Sequence, residues 1–258
     1  YIAGLASKFV KVVLSGAGGD ELFGGYPWRY YRASENSSFE NYIKEYYNYW
    51  QRLLNDIEVK KVFSPMWEDV KDVSTISIFK NIFNDNKNEL DNPEDYINHS
   101  LYFEAKTFLH GLFVVEDKLS MAHGMETRVP FMDNDLVDFA MKCPVNLKIN
   151  NLSRIKEMDE NTEMKEKKYF QKTNDGKQIL RESMEKFIPA SITNSAKQGF
   201  SSPDASWFKG ESIEFVKESL CNKNSEIYNY IDYKSINSLI GEHFEGKKNR
   251  RLLIWSLL

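Results

Sequence analysis

The sequence predicts an α/β chain that is mostly helical with one or two parallel strands, of which one, near its start, is convincing. Three observations predict this. The mostly apolar run Val10–Leu14, VKVVL, is bounded by Ser15 and Gly16 and has the composition of a buried parallel strand. Further along, apolar residues recur at spacings of three and four, which is the helical period. The 258 residues, 41% hydrophobic and 14% aromatic, suffice for one large core or two small ones and argue against disorder.

In chain order, Ile2–Phe9 reads as a short helix and Val10–Leu14 as the strand. Phe39–Leu54 is predicted to be a helix because Phe39, Tyr42, Ile43, Tyr46, Tyr47 and Trp50 share one face, and core packing explains that face best. Pro93, after Asp91 and Asn92 as candidate caps, opens a helix expected to run to about Gly111, with Leu101, Phe108 and Leu112 on its apolar stripe. Leu136–Met141 is a further helical block that stops at Pro144. Residues 150–177 are polar and nearly devoid of aliphatics, the composition of a mobile loop or insertion rather than of a linker between separate cores. Helices resume at Gln178–Phe187, Glu211–Leu220, Tyr233–His243 and from Asn249 to the end. No internal repeat is visible. A lone strand cannot satisfy its backbone groups, so its sheet neighbours are expected from residues upstream of Tyr1.

Composition also excludes function classes. The net charge of −4 is spread over mixed signs without a basic stripe, which speaks against nucleic acid as a partner. Cys143 and Cys221 lie far apart with no metal-ligand spacing, which argues against a disulfide framework or structural zinc and suits a reducing cytoplasm. No apolar run approaches the ~20 residues of a membrane helix. The chain opens on Tyr1 with no basic-then-apolar leader, and it reads as a piece of something longer.

The chemistry concentrates in Leu14–Tyr26, LSGAGGDELFGGY. A strand running into Ser-Gly-x-Gly-Gly-Asp sets backbone amides and a hydroxyl at the carboxyl edge of a sheet, where open α/β sheets bind ligands. Glycines there let the main chain approach a nucleotide, and Asp20 and Glu21 offer the hard oxygens that Mg2+ prefers. The same residues also suit a plain glycine turn whose Asp caps a helix, and the residues alone leave both readings open.

Four blocks in order carry a resemblance: VVLSGAGGDELFGGY, DKLSMAHGMETRVPFMDNDLVDFA (Asp117–Ala140), IPASITNSAKQGFSSPDASWF (Ile188–Phe208) and the terminal RRLLIWSLL. Together they resemble the synthetase domain of the glutamine-hydrolysing asparagine synthetase family. The resemblance implies an ATP-pyrophosphatase fold, of the adenine nucleotide alpha hydrolase-like class. It also implies an amide-forming ligase using ATP and Mg2+, which adenylates a small-molecule carboxylate, typically aspartate, and lets ammonia displace AMP. Residues 1–258 match only the later part of that domain. The Cys-nucleophile glutaminase domain that supplies ammonia and the first pyrophosphate loop, SGGxDS, are not among them. With half of that phosphate site absent, the 258 residues alone are expected to show no ATP:pyrophosphate exchange. A homodimer is compatible with the resemblance.

Carried over residue by residue, Ser15 and Gly16 match the turn laid against the AMP portion of the nucleotide. Asp20 matches the residue that helps hold Mg2+ on the pyrophosphate, together with the Asp of the SGGxDS loop. Lys197 in AKQGF matches a lysine that neutralises charge as a carboxylate attacks the α-phosphorus, although a solvated loop lysine is its bland reading. Gly199 is read as the bend turning it inward. Arg128 stands where an arginine is characteristic; pairing with Asp133 or Glu126 competes with substrate contact, and it is held as supporting structure. Met121 and Met125 are expected in the core, and His123 is read as packing. Tyr26 either borders the acceptor site or caps a core. The main departure is Ala17, where asparagine-forming members often carry the glutamate of SGEG. Alanine can neither orient an acceptor nor take a proton, so the acceptor is open between aspartate and another carboxylate. A non-catalytic binding module is the remaining alternative; a sulfurtransferase or tRNA-modifying relative is disfavoured by the acidic charge.

Overall fold

The computed structural model describes residues 1–30, 38–51, 53–83, 92–152, 174–196, 208 and 212–258. The chain divides into two compact units, Tyr1–Glu45 with Ile82–Gly199, and Tyr46–Asn81 with Phe200–Leu258. Both flanks of the polar stretch 150–177 fall in the first unit, so that stretch is not where the units divide.

The first unit contains the strand expected from VKVVL, as β1, Val12–Leu14. It is not alone. A second strand, β2, Glu126–Arg128, pairs with it in parallel, with Val12 beside Glu126, Val13 beside Thr127 and Leu14 beside Arg128. The pairing extends at both ends: Glu126 N–H donates to the Lys11 carbonyl at 2.8 Å and Ser15 N–H to the Arg128 carbonyl at 2.8 Å. The expectation of a strand without a partner within this chain is therefore corrected. Glu-Thr-Arg is short and polar and gives no strand signal; its backbone groups, not its side chains, make the ladder. Burial is corrected as well, because Val12 is 42% and Leu14 75% exposed, so β1 presents an open apolar face.

Helices pack around this pair. Ile2–Ala6 lies against the helix Phe108–Met121, with the His123 ring so close to Gly4 that an added Cβ would lie 3.1 Å from it; His123 is nonetheless exposed, so its reading as a packed residue is corrected to a surface contact. The helix expected from Pro93 to Gly111 is two helices, Pro93–Lys106 and Phe108–Met121. Thr107 separates them: its hydroxyl and its N–H both donate to the Phe103 carbonyl, at 2.7 and 3.0 Å. Asn92 begins the first of the two, its N–H donating to the Asp95 carboxylate at 3.1 Å. Met125 is buried as expected, whereas Met121, next to the buried Ser120 at the end of its helix, is exposed. Among the described residues, apolar clusters that hold the unit include one around Tyr30, Ile97, Leu101, Val145 and Ile149 and another around Leu22, Phe23 and Ala140.

The helix Phe39–Trp50 contributes to both units, ending at Trp50 rather than Leu54. Tyr42 and Ile43 are buried in the first, Tyr42 against Phe83 at 5.8 Å between ring centres; Tyr46 and Tyr47 are buried in the second against Phe79, at 5.9 and 5.6 Å. The second unit is helical among its described residues, with Val62, Val216, Leu220, Ile236, Ile240 and Ile254 at its centre. Its helices include Asp56–Val62, Ser212–Leu220, Tyr233–Phe244 and Arg251–Leu257. Among the described residues no helix is long and apolar enough to cross a membrane.

Candidate functional site

Both strands end at the same edge, and β1 leads directly into Ser15, Gly16 and Ala17. The Ser15 hydroxyl accepts from the Ala17 N–H at 3.1 Å, folding the turn back on itself. Gly16 is exposed, and a Cβ added there would meet nothing within 4 Å, so the main chain at this point is open to a ligand. Gly18 then takes the left-handed conformation, φ 96°, and opens the short helix Gly19–Phe23, which places Asp20 on its first turn.

Asp20 is the most constrained group of the turn. Gly25 N–H donates to its carbonyl at 2.7 Å, and a Cβ on Gly25 would lie 1.9 Å from its Oδ1. Its carboxylate faces Lys177, whose Nζ stands 2.9 Å from Oδ1. Lys177 is delivered by the far end of the polar stretch. Ile149 and Gly176 form an antiparallel bridge, Asn150 N–H donates to the Asp175 carbonyl at 2.8 Å, and Lys177 N–H donates to the Phe23 carbonyl at 3.0 Å. Gly176 fits because it has no side chain: a Cβ would lie 2.3 Å from the Gly24 carbonyl oxygen. Lys177 itself holds a left-handed backbone, φ 60° and ψ 35°, uncommon for a side-chain-bearing residue. The ends of the stretch read as a loop thus belong to the site, and residues 153–173 between them lie outside the described residues.

Behind the turn, Glu21 is buried, and burial raises its carboxyl above the usual range. Tyr26 donates its hydroxyl to Glu21 at 3.2 Å; its ring packs edge-on to Trp28 and Phe108, with the Arg29 guanidinium 3.8 Å from the ring centre. Burial pushes the Tyr26 hydroxyl far above its ordinary value. Arg29 also faces the buried Glu104 at 3.4 Å, which accepts from Tyr30 at 2.8 Å. The structure places Tyr26 in this packed layer. Arg128, carried by β2 to the strand-end edge, is exposed and pairs with Glu126 at 2.8 Å, while Asp133 instead caps the helix Asn134–Lys142. Lys197 and Gly199 lie outside the described residues.

A family model described as asparagine synthase matches residues 1–258. The chain belongs to the asparagine synthase family. It is similar to the glutamine-hydrolyzing asparagine synthetase 1 of Bacillus subtilis, 27% identical over 100% of this chain and 41% of that protein. It is also similar to asparagine synthetase 3 of the same organism, 27% identical over 90% of this chain and 33% of that protein. An amidase of Penicillium rubens is 22% identical over 91% of this chain and 38% of that protein. The chain thus spans about two fifths of the first of these relatives. For an asparagine synthase family member, the donor set around Asp20 is short of what Mg2+ needs. Asp20 faces an ammonium, and among the described residues no group of three or more His, Cys, Asp or Glu is placed to hold a metal. These residues do not make a metal site by themselves.

Lys177 and Arg181 are what sequence reasoning missed. One sits at the end of a polar run and the other on the helix it opens, and neither position carries a motif. The only local signal was the Gly176–Lys177 pair ahead of a helical pattern.

Proposed function

We propose that this chain is the later part of the synthetase domain of an ATP-dependent amide-forming ligase. The reading rests on one observation: an open Ser15–Gly16–Ala17 turn at the shared carboxyl edge of β1 and β2, with the Asp20–Lys177 pair beside it. Family membership supports it. In this reading Ser15 and Gly16 lie against the AMP portion of ATP, and Asp20 and Lys177 stand by its phosphates. Lys197 offsets the charge that builds as an acceptor carboxylate oxygen attacks the α-phosphorus and pyrophosphate leaves. Ammonia then attacks the acyl carbon and AMP departs, leaving an amide. The ammonia is supplied by a glutaminase domain of the longer protein, and further strands from that protein complete the sheet. The first pyrophosphate loop, SGGxDS, comes from the same upstream part.

Ala17 favours an acceptor other than aspartate. A site that binds aspartate must match an ammonium and a second carboxylate with buried charge, and alanine removes one charged wall of it.

The test uses the full-length protein bearing Lys197→Ala. Adenylation, followed as ATP:pyrophosphate exchange, should be lost while glutamine hydrolysis persists. Adenylation surviving within about tenfold, ~1.4 kcal/mol of barrier, would remove Lys197 from this role.

A further inference from the structure

Arg181, one turn into the helix Gln178–Met184, grips three backbone carbonyls from two separate stretches. Its Nε donates to Gly176 at 2.9 Å, and its Nη1 donates to Ser195 at 3.0 Å and to Thr193. The guanidinium is half-buried, burial lowers its pKa, and the negative charge of Asp20 reaches it with the opposite effect. Three carbonyls on one side chain are more than a solvated arginine collects. The planar fork fits them in a way that a lysine cannot.

What the clamp fixes can be read from its partners. The Gly176 carbonyl belongs to the peptide that enters Lys177, and that peptide is already wedged against Gly24. With its N–H on Phe23 and the preceding carbonyl on Arg181, Lys177 is held in its left-handed conformation and its ammonium is aimed at Asp20. A left-handed lysine costs energy and persists only where its surroundings over-determine it. Arg181 is one of those surroundings.

We propose that Arg181 is a positioning residue for the phosphate end of the nucleotide site, acting through Lys177 by clamping the Gly176, Thr193 and Ser195 carbonyls. This deepens the reading of the glycine-rich turn as an ATP site and rests on it. Arg181 touches no phosphate; it sets where the Lys177 ammonium stands. Its loss should therefore weaken binding of a nucleotide in proportion to the phosphates beyond the first, and leave the AMP portion alone.

The experiment measures calorimetric affinity of the full-length protein for AMP and for α,β-methylene-ATP in Mg2+ buffer. Wild type, Arg181→Gln, Arg181→Lys, Lys177→Met and the Arg181→Gln/Lys177→Met double variant are compared. Arg181→Gln should lower affinity for the ATP analogue about tenfold and for AMP less than twofold. Arg181→Lys, which keeps the charge but not the fork, should show the same pattern to a smaller degree, and it remains readable if the glutamine variant folds poorly. The double variant should be no weaker than Lys177→Met within about twofold, because both changes remove one interaction. Equal losses for AMP and the ATP analogue, or losses that multiply in the double variant, would overturn the inference alone. A wild-type protein that binds the ATP analogue no better than AMP would overturn the ATP reading and the inference with it.

Discussion

Gly25 shows how a single missing side chain shapes the site. It sits where any Cβ would overlap the Asp20 carboxylate, 1.9 Å from Oδ1 and 2.7 Å from the Asp20 Cα, and the second of these is backbone that cannot swing away. Gly25→Ala should therefore destabilise the protein by about 1–3 kcal/mol, the usual range for overpacking, and displace Asp20 from Lys177. Chemical denaturation checks the first part. A midpoint unchanged within error would show that the turn opens freely. At this scale the glycines, Ser15, Gly16 and Asp20 were legible because they are contiguous and glycine spacing has a steric meaning. Lys177 and Arg181 were not, because only the tertiary fold brings a lysine and an arginine from far along the chain to Asp20. A solvated lysine and a positioned one look alike in sequence.

Among the elements, legibility followed side-chain pattern. The aromatic stripe of Phe39–Trp50 and the apolar faces of Ser212–Leu220 and Tyr233–Phe244 announce their helices, to within a few residues of the observed ends. β2 has no such pattern, being three residues fixed by backbone pairing, and at the break Thr107 leaves helical dihedrals, φ −119° and ψ −67°, while its hydroxyl shares the Phe103 carbonyl with its N–H. In the second unit, elements are joined by charge. Arg250, 5% exposed, donates to both carboxylate oxygens of Glu58 and to Glu242 at 2.9 Å, and its N–H donates to His243 Nδ1 at 3.1 Å. The bond to Arg250 is the first cause that holds the Glu58 carboxyl down at about 2, from an ordinary 4.5. A depressed acid stabilises the fold above its unfolded value, and that contribution is lost as pH falls through the folded one. Thermal stability should thus decline between about pH 4.5 and 2, and Glu58→Gln should flatten part of the decline in a pH series of melting curves. Arg250→Ala, which takes the guanidinium from Glu58 and Glu242 but leaves Glu58 the Lys248 ammonium at 3.7 Å, should cost about 1–3 kcal/mol at neutral pH. A loss under ~1 kcal/mol would mean that water replaces the guanidinium without penalty.

For the molecule as a whole, the distribution of exposed apolar residues in the first unit has a physical consequence. Ile2, Leu5 and Phe9 are 73%, 60% and 79% exposed, Val12 and Leu14 on the open face of β1 are 42% and 75%, and Val115 and Leu119 on the adjoining helix are 57% and 59%. Scattered apolar residues are ordinary on a surface, but here they sit on the strand and on the elements next to it in sequence or space. A strand with an open apolar face, and with an edge that is unpaired among the described residues, is a template for pairing with other chains. Residues 1–258 expressed alone should therefore associate with themselves at micromolar concentration and enhance the fluorescence of an apolar dye. The longer protein, whose upstream strands we propose to cover this face, should do neither. Sedimentation velocity and dye titration on both proteins decide it. The decisive variant is Leu14→Lys in residues 1–258, which puts a charge on the open strand without touching the buried clusters around Leu22 and Ile97. It should restore a monomer and dim the dye. If the unaltered 258 residues are monomeric and dye-silent, the face is already covered, and the proposal that upstream strands complete this sheet falls.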